Sequence, residues 1–344
     1  MRVEPVLPSN CVPQFQGEND MKKFICALLL ACTSLCACAD TPSLYSPSVI
    51  VYDVARGEVL LEKNADDVRP IASLTKLMTA MVVLDKAQEM GDTLTIDKAD
   101  IDRLKHSGSR IPVGTSLERE AMLRLALMSS ENRAASALSR SFPGGQSSFI
   151  QQMNLKARAL NMADTHFEDP TGLSPDNVST ARDVVKLAIE ASHYPMIGSF
   201  TTLTAYEQTI GNRTRFYHNT DPLVRWTDWD TRLAKTGYTR EAGRCIVVDV
   251  AMPRGTVIIA LLGARSSSVR SADLARIRNW VNGDQTPVAV PRLYHASAHS
   301  HHRHPVVASQ PHRVNVRFAS WRTASAVSSH RHPSHRIIAS RART

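Results

Sequence analysis

The apolar positions of this chain follow two kinds of pattern. Dense runs rich in β-branched residues lie near the two ends of a central region. Val49-Ile50-Val51-Tyr52 and Val59-Leu60-Leu61 flank Ala55-Arg56-Gly57, which predicts a strand hairpin. Cys245 to Val250 and Val257 to Leu262 flank Pro253-Arg254-Gly255 and predict a second hairpin. Between the hairpins, apolar residues recur at helical spacing. Leu77, Met81 and Leu84 form one stripe, and Leu123, Leu127, Ala134 and Leu138 mark another helical region. A loop punctuated by Gly172 and Pro175 precedes an expected helix from Ala181 to Ala191. Leu274, Ile277, Trp280 and Val281 predict a last helix over Ser268 to Val281. Strands at both ends with helices between them predict a mixed α/β fold of the α+β kind. Its antiparallel sheet is closed by the two terminal segments and flanked by helices, with a helical subdomain beside it.

A different pattern precedes the first hairpin. Met21 is followed by Lys22-Lys23, an apolar stretch from Phe24 to about Leu35, and Ala37-Cys38-Ala39 before Asp40. Positive charge, a short apolar core and a small-residue cleavage site in this order predict a signal peptide over 21–39. The core falls short of the ~20 apolar residues that span a bilayer, so no transmembrane helix is expected in the mature chain. Residues 1–20 hold Glu4, Glu18, Asp20 and three prolines, which suit no signal-peptide start; translation is expected to begin at Met21. Leu29-Leu30-Ala31-Cys32 also fits a lipoprotein cleavage box, which would leave a lipid anchor on Cys32, although the apolar run before it is short. Export to the periplasm is the expectation. The mature body is read as residues 40–283, enough to bury one sizeable core or two small lobes.

The net charge of +9 changes once its location is counted. From Arg292 to Thr344 there are nine Arg, no Lys and no acidic residue, so the preceding residues hold 32 basic side chains (41 − 9) against 32 acidic ones. The body is neutral, which excludes a uniformly basic nucleic-acid-binding domain. Residues 284–344 read as a disordered Arg/His-rich tail with an affinity for anionic envelope polymers. Its alternative use is metal binding, since His295, His299, His301, His302 and His304 are densely spaced. Cysteine is silent on compartment, because only Cys245 follows residue 40.

Three short motifs carry candidate chemistry. Ser73-Leu74-Thr75-Lys76 opens the first helical stripe, and i,i+3 spacing puts Ser73 and Lys76 on one face. A serine hydroxyl is a weak nucleophile until a base takes its proton, and a lysine serves if burial lowers its pKa. Ser130-Glu131-Asn132 follows, where Ser130 could relay a proton and Asn132 could bind a substrate amide. Lys235-Thr236-Gly237 precedes the second hairpin. On an edge strand Gly237 would let a peptide lie alongside, Lys235 would supply charge, and Thr236 a hydroxyl donor. Singly, these read equally well as a helix-start serine with a solvated lysine, a polar helix break and an ordinary turn. In this order within one exported domain they form a known catalytic set.

The sequence resembles the low-molecular-mass penicillin-binding proteins, serine D-alanyl-D-alanine peptidases, from about Ser48 to Val281. Beyond the motifs, the match takes in Asp169-Pro170-Thr171-Gly172-Leu173-Ser174, His218-Asn219-Thr220 and the run from Ala234 to Cys245. The form Ser-Ser-Glu-Asn-Arg-Ala-Ala is most similar to the penicillin-binding protein 7 type of endopeptidase, which cleaves D-alanyl-meso-diaminopimelyl cross-links in peptidoglycan. The resemblance implies a DD-peptidase/β-lactamase-like fold and no cofactor or metal. It implies catalytic roles for Ser73, Lys76 and Ser130, with substrate binding by Asn132, Lys235, Thr236, Gly237 and Tyr238. The backbone N–H groups of Ser73 and Tyr238 would form an oxyanion hole, and β-lactams would act as covalent inhibitors. Carboxypeptidase activity and a class A β-lactamase are the alternatives. The latter needs a Glu-x-x-x-Asn deacylating element, and Glu168, Glu190 and Glu207, the glutamates from Arg133 to Ala234, all lack the asparagine.

Overall fold

In the computed structural model of the chain, the described residues are 41–226, 229–284 and 288. The expected leader over 21–39, the residues before it and nearly all of the Arg/His-rich segment lie outside them. The first expected hairpin is β1 (Ser48–Asp53) and β2 (Glu58–Lys63). A short β3 (Arg69–Pro70) enters a 3₁₀ turn, Ala72–Leu74, that runs into α1 (Thr75–Asp85). Strands β4 (Thr93–Thr95) and β5 (Ser116–Glu118) pair across the loop between them. Helices α2 (Arg119–Met128), α3 (Asn132–Arg140) and α4 (Gly145–Ala159) follow. Next come β6 (Val178–Ser179), α5 (Ala181–Ser192) and α6 (Pro195–Thr202). A ribbon of β7 (Ala205–Ile210) and β8 (Arg213–His218) and a short α7 (Pro222–Trp226) lead to β9 (Asp230–Thr239), β10 (Gly243–Met252) and β11 (Gly255–Ala264). The last helix is α8 (Ser267–Asn282), capped by Ser266 at its start and Gly283 at its end.

The main sheet has the order β2-β1-β11-β10-β9, antiparallel throughout. The two ends of the body therefore meet in it as expected, with Val49 opposite Leu261, and β9 is an edge strand. Its apolar runs are continuous because both faces are buried. Ile50, Val247, Ile258, Ala260 and Leu262 point into the core shared with the helical lobe. Val49, Val51, Ile246, Val248 and Ile259 point into a second core closed by Leu274, Ile277 and Val281 of α8.

Both expected helical regions form, with detail the sequence did not show. The stripe of Leu77, Met81 and Leu84 lies on α1, which is buried at every position from Thr75 to Val83. Its polar residues tolerate this because each finds a partner: Thr75 Oγ1 donates to the Ala72 carbonyl at 2.8 Å, and Thr79 Oγ1 to that of Pro170 at 2.6 Å. The helical region of Leu123 to Leu138 is two helices, α2 and α3, separated at Ser129–Glu131 with Ser130 at φ +59°. Among the described residues, no helix is long and apolar enough to cross a membrane.

Candidate active site

The expected nucleophile and base lie on the first buried turn of the helical lobe. Ala72, at φ +47°, bends the chain just before Ser73, which sits in the 3₁₀ turn rather than at a helix N-cap. Lys76, one turn on, is 1% exposed and reaches three oxygens: Ser73 Oγ at 2.9 Å, Asn132 Oδ1 at 2.7 Å and the Thr171 carbonyl at 2.6 Å. Lys76 is thus not a solvated surface lysine. Burial drives its pKa down to about 7, against the opposing negative charges of Asp169 and Glu131. Near neutral pH a large fraction of Lys76 is the free amine and can accept a proton.

The loop from Asp169 to Ser174 is built to deliver that third oxygen. The Asp169 carboxylate accepts hydrogen bonds from the backbone N–H groups of Thr171, Gly172 and Ser174 and from the Thr171 hydroxyl. Asn177, fully buried, fastens the loop to α1: its Oδ1 accepts from Glu168 N and Asp169 N, and its Nδ2 donates to Thr75 Oγ1 and the Asp169 carbonyl. A Cβ on Gly172, which sits at φ +82°, would lie 2.0 Å from the Ala72 carbonyl oxygen, so the loop and the Ser73 turn touch backbone to backbone.

The second motif fills the break between α2 and α3. Its positive φ at Ser130 places the hydroxyl 3.1 Å from Lys235 Nζ. Asn132 bridges Lys76 and, through Nδ2, Ser107 Oγ at 2.9 Å. Glu131 is 6% exposed and turns away from this face. It accepts from Ser109 Oγ at 2.7 Å and lies 3.4 Å from Arg110 Nε, which anchors the break.

The third motif lies on the edge strand β9, opposite Val247, Ile246 and Cys245 of β10, and not in a turn. Lys235, 1% exposed, points at Ser130; burial, reinforced by the positive charge of Lys76, lowers its pKa well below that of a free lysine. Thr236 Oγ1 hydrogen-bonds Thr220 Oγ1 at 2.7 Å. Gly237 abuts the nucleophile turn, where a Cβ would lie 2.8 Å from the Ile71 carbonyl oxygen and 3.1 Å from Ser73 N. Tyr238 is 55% exposed, with the Arg244 guanidinium 3.7 Å from its ring centre. All eight expected site residues thus converge on one seam between the helical lobe and the sheet edge.

Two clefts open from this seam, both floored by Ser73 and Asn132 and edged by Tyr238. One, about 340 Å³, is lined by Ser130, Thr220, Thr236, Arg244 and Arg270. The other, about 510 Å³, is lined by Leu104, Lys105, Leu173, Arg240 and Glu241. A larger hollow of about 580 Å³, around Phe142 and Lys156, contains none of these residues. The sequence reading missed Ser107, Arg270 and the Thr171 carbonyl. Arg270 lies in a helix far along the chain with no motif around it, and a backbone carbonyl leaves no trace in residue type. Glu168, the one glutamate beside the Asp169 loop, is exposed and lies 3.5 Å from His166 rather than at Ser73. Among the described residues no cluster of His, Cys, Asp or Glu could hold a metal ion.

A family model described as D-alanyl-D-alanine carboxypeptidase matches residues 36–266. The chain is 42% identical to a D-alanyl-D-alanine endopeptidase of Pseudomonas aeruginosa over 72% of its own length and 80% of that protein's. It is 40% identical to a D-alanyl-D-alanine endopeptidase of Escherichia coli, over 77% of this chain and 86% of that one. The structure of a DD-transpeptidase from Streptomyces K15 superposes with a TM-score of 0.65 at 28% identity, covering 70% of this chain and 98% of that one.

Proposed function

The chain belongs to the D-alanyl-D-alanine carboxypeptidase family of peptidases, and from that premise we propose that it is a serine D-alanyl-D-alanine endopeptidase. Its substrates are then D-alanyl-meso-diaminopimelyl cross-links in peptidoglycan, cut through an acyl-enzyme on Ser73. The observation that carries the proposal is the buried Lys76 amine, with a pKa of about 7, set 2.9 Å from Ser73 Oγ.

Lys76 removes the Ser73 proton as Oγ attacks the carbonyl carbon of the D-alanine that is joined to the diaminopimelyl amine. The Ser73 and Tyr238 backbone N–H groups stabilise the developing oxyanion. The amine leaves on the Ser130 side: Ser130 gives its proton to the departing nitrogen and is reprotonated by the Lys76 ammonium, while Lys235 holds the Ser130 oxygen. Water then attacks the ester, Lys76 accepts its proton and returns it to Ser73 Oγ as the ester C–O bond breaks, and the peptide acid leaves. No metal or cofactor takes part in these steps. A β-lactam follows the same first step. Glu168, turned out to His166, supplies no deacylating base, which favours a persisting penicilloyl-enzyme over β-lactamase turnover.

The leader motif at Lys22-Lys23 and Ala37-Cys38-Ala39 supports export to the periplasm, where the cross-links are found. The Arg/His-rich segment after residue 284 fits retention on anionic envelope polymers. Mass mapping after benzylpenicillin treatment tests the nucleophile, with the adduct expected on the Ser73 peptide. Digestion of cross-linked and uncross-linked muropeptides tests the bond cleaved: monomers released from dimers are expected, and cleavage confined to terminal D-alanine refutes the endopeptidase reading.

A further inference from the structure

We propose that Asp221 is a positioning residue for the proton relay, its buried carboxylate keeping Lys235 charged while Ser130 gives up its proton. This rests on the serine acyl-transfer reading above. Asp221 belongs to none of the three motifs, and the steps of that reading do not use it. It sits directly behind the wall of the 340 Å³ cleft. Its chain neighbours Thr220 and Pro222 line that cleft, whereas Asp221 itself is 1% exposed. One carboxylate oxygen, Oδ1, accepts the Leu223 N–H at 3.0 Å at the start of α7. The other, Oδ2, is buried and has no hydrogen-bond partner. A buried carboxylate left half satisfied is costly, and an uncharged Asn or Ser caps a helix as well. The use of the charge lies in the groups around it.

The segment that carries Asp221 is fastened to both halves of the seam. Asn219 is buried, and its Nδ2 donates to the Thr201 and Leu203 carbonyls, each at 2.8 Å. Its Oδ1 accepts from Asp221 N at 2.8 Å. Thr220 N donates to the carbonyl of Met128, the last residue of α2 and two before Ser130, at 3.1 Å. Thr220 Oγ1 accepts from the hydroxyl of Thr236, the residue after Lys235. Asp221 is thus tied to the strand that bears Lys235 and to the helix that leads to Ser130.

Charged groups bear on Lys235 from three parts of the chain. Burial opposes its ammonium most, and the positive charges of Lys76 on α1 and Arg270 on α8 add to that; Asp221 favours it. Burial likewise raises the pKa of Asp221, while the Leu223 N–H and the charges of Arg270 and Lys235 favour its carboxylate. Arg270 is held by the Cys245 carbonyl at 3.2 Å, and Arg244 and the Cys245 thiol bear on it in turn. The acids that bear on Lys76 are different ones, Asp169 and Glu131. The reaction needs the two lysines in opposite states, Lys76 as free amine and Lys235 as ammonium. Once Lys76 has lost its proton, one of the charges opposing Lys235 is gone, and Asp221 faces Arg270 alone. A charged Lys235 then draws electron density from Ser130 Oγ, 3.1 Å away, as the hydroxyl proton leaves.

The test is the second-order rate of Ser73 acylation by a chromogenic β-lactam, followed on both sides of its pH optimum for the full-length protein and Asp221→Asn. Asparagine keeps the Oδ1 that caps Leu223 N and removes the charge. The profile ends in a basic limb where Lys235 loses its proton. Without the Asp221 charge that limb is expected about one pH unit or more lower, so the rate at a fixed pH on it falls about tenfold. The acid limb, which belongs to Lys76, should move less. A purely structural role lowers the rate at every pH and moves neither limb. A basic limb that stays put or moves up overturns the role of Asp221 and leaves the peptidase reading standing. If the asparagine protein does not fold, Asp221→Ser, also a capping residue, is measured in its place. Failure of both to fold makes the carboxylate structural and overturns the proposal. No acylation of Ser73 in the wild-type protein at any pH removes the peptidase reading and this role with it.

Discussion

Replacing Gly237 with alanine tests whether the contact between the edge strand and the nucleophile turn sets the reaction geometry. Gly237 does not have a left-handed φ, so alanine adds volume without backbone strain. The new Cβ would stand 2.8 Å from the Ile71 carbonyl oxygen, 3.1 Å from Ser73 N and 3.2 Å from Ala72 Cβ, where ordinary contact begins at 3.4 Å. Two of the three neighbours are backbone atoms, which cannot rotate away. The strand must therefore retreat by about 0.6 Å, the difference between 3.4 and 2.8 Å. Tyr238 N, proposed above as the second donor to the oxyanion, retreats with it. A misplacement of about 1 Å costs on the order of 100-fold in rate, so this one is expected to cost roughly 10- to 30-fold. The assay is the second-order rate constant for acylation by a chromogenic β-lactam. Gly91→Ala serves as the control, because nothing lies within 4 Å of a Cβ there and its φ is not positive. Acylation of Gly237→Ala within about twofold of the Gly91→Ala rate would refute the reasoning.

Other outcomes follow from the same site. Because the neutral Lys76 amine is the reactive form and its pKa is about 7, acylation should rise about tenfold per pH unit below that value and level off above it, as a stopped-flow pH series will show. The Glu131 charge favours the protonated lysine, so Glu131→Gln should move this acid limb to lower pH; a limb that stays put or moves up contradicts the assignment. Asn177→Ala leaves Glu168 N and Asp169 N without their partner and should destabilise the protein by about 2–4 kcal/mol, measured by urea unfolding. Cys245 is fully buried, and burial pushes its thiol up to about 11, so iodoacetamide at pH 8 should leave its peptide unmodified until denaturant is added.

Much of the architecture could be read from the sequence because burial wrote it there. Apart from Asp249, the runs at Val49–Tyr52, Cys245–Val250 and Val257–Leu262 are apolar on both faces, and each became a strand buried on both sides. The ribbon of β7 and β8 escaped notice for the opposite reason. Along Ala205–Ile210 its residues alternate between exposed and half-buried, and no dense apolar run marks it. Helix α1 was legible as a helix but not in its setting. Periodicity records apolar spacing, and it cannot show that Thr75 and Thr79 would be silenced by the Ala72 and Pro170 carbonyls. The site motifs were legible as residue types in order. What could not be read was the coupling among them, such as Ser107 steadying Asn132 from a loop with no motif.

That coupling explains why motifs so far apart in sequence meet at hydrogen-bonding distance. No single element holds the site. Ser73, Lys76, Ser130 and Asn132 come from the helical lobe, and Lys235 to Tyr238 from the sheet edge. Strain is part of the seam: Ala72 and Ser130 both adopt left-handed φ, at about 1–3 kcal/mol each for a non-glycine residue. Such conformations persist only when packing leaves no alternative. Gly172 presses on Ala72 from the Asp169 loop and Gly237 presses on Ser73 from β9, so the turn is gripped from two sides by surfaces that lack a side chain. The Lys76 contact to the Thr171 carbonyl then ties the Asp169 loop to α1, and the Lys235 contact to Ser130 ties the sheet edge to the helical lobe. Both ties use buried lysines whose charged forms burial disfavours, and one of them, Lys76, is the base of the proposed mechanism.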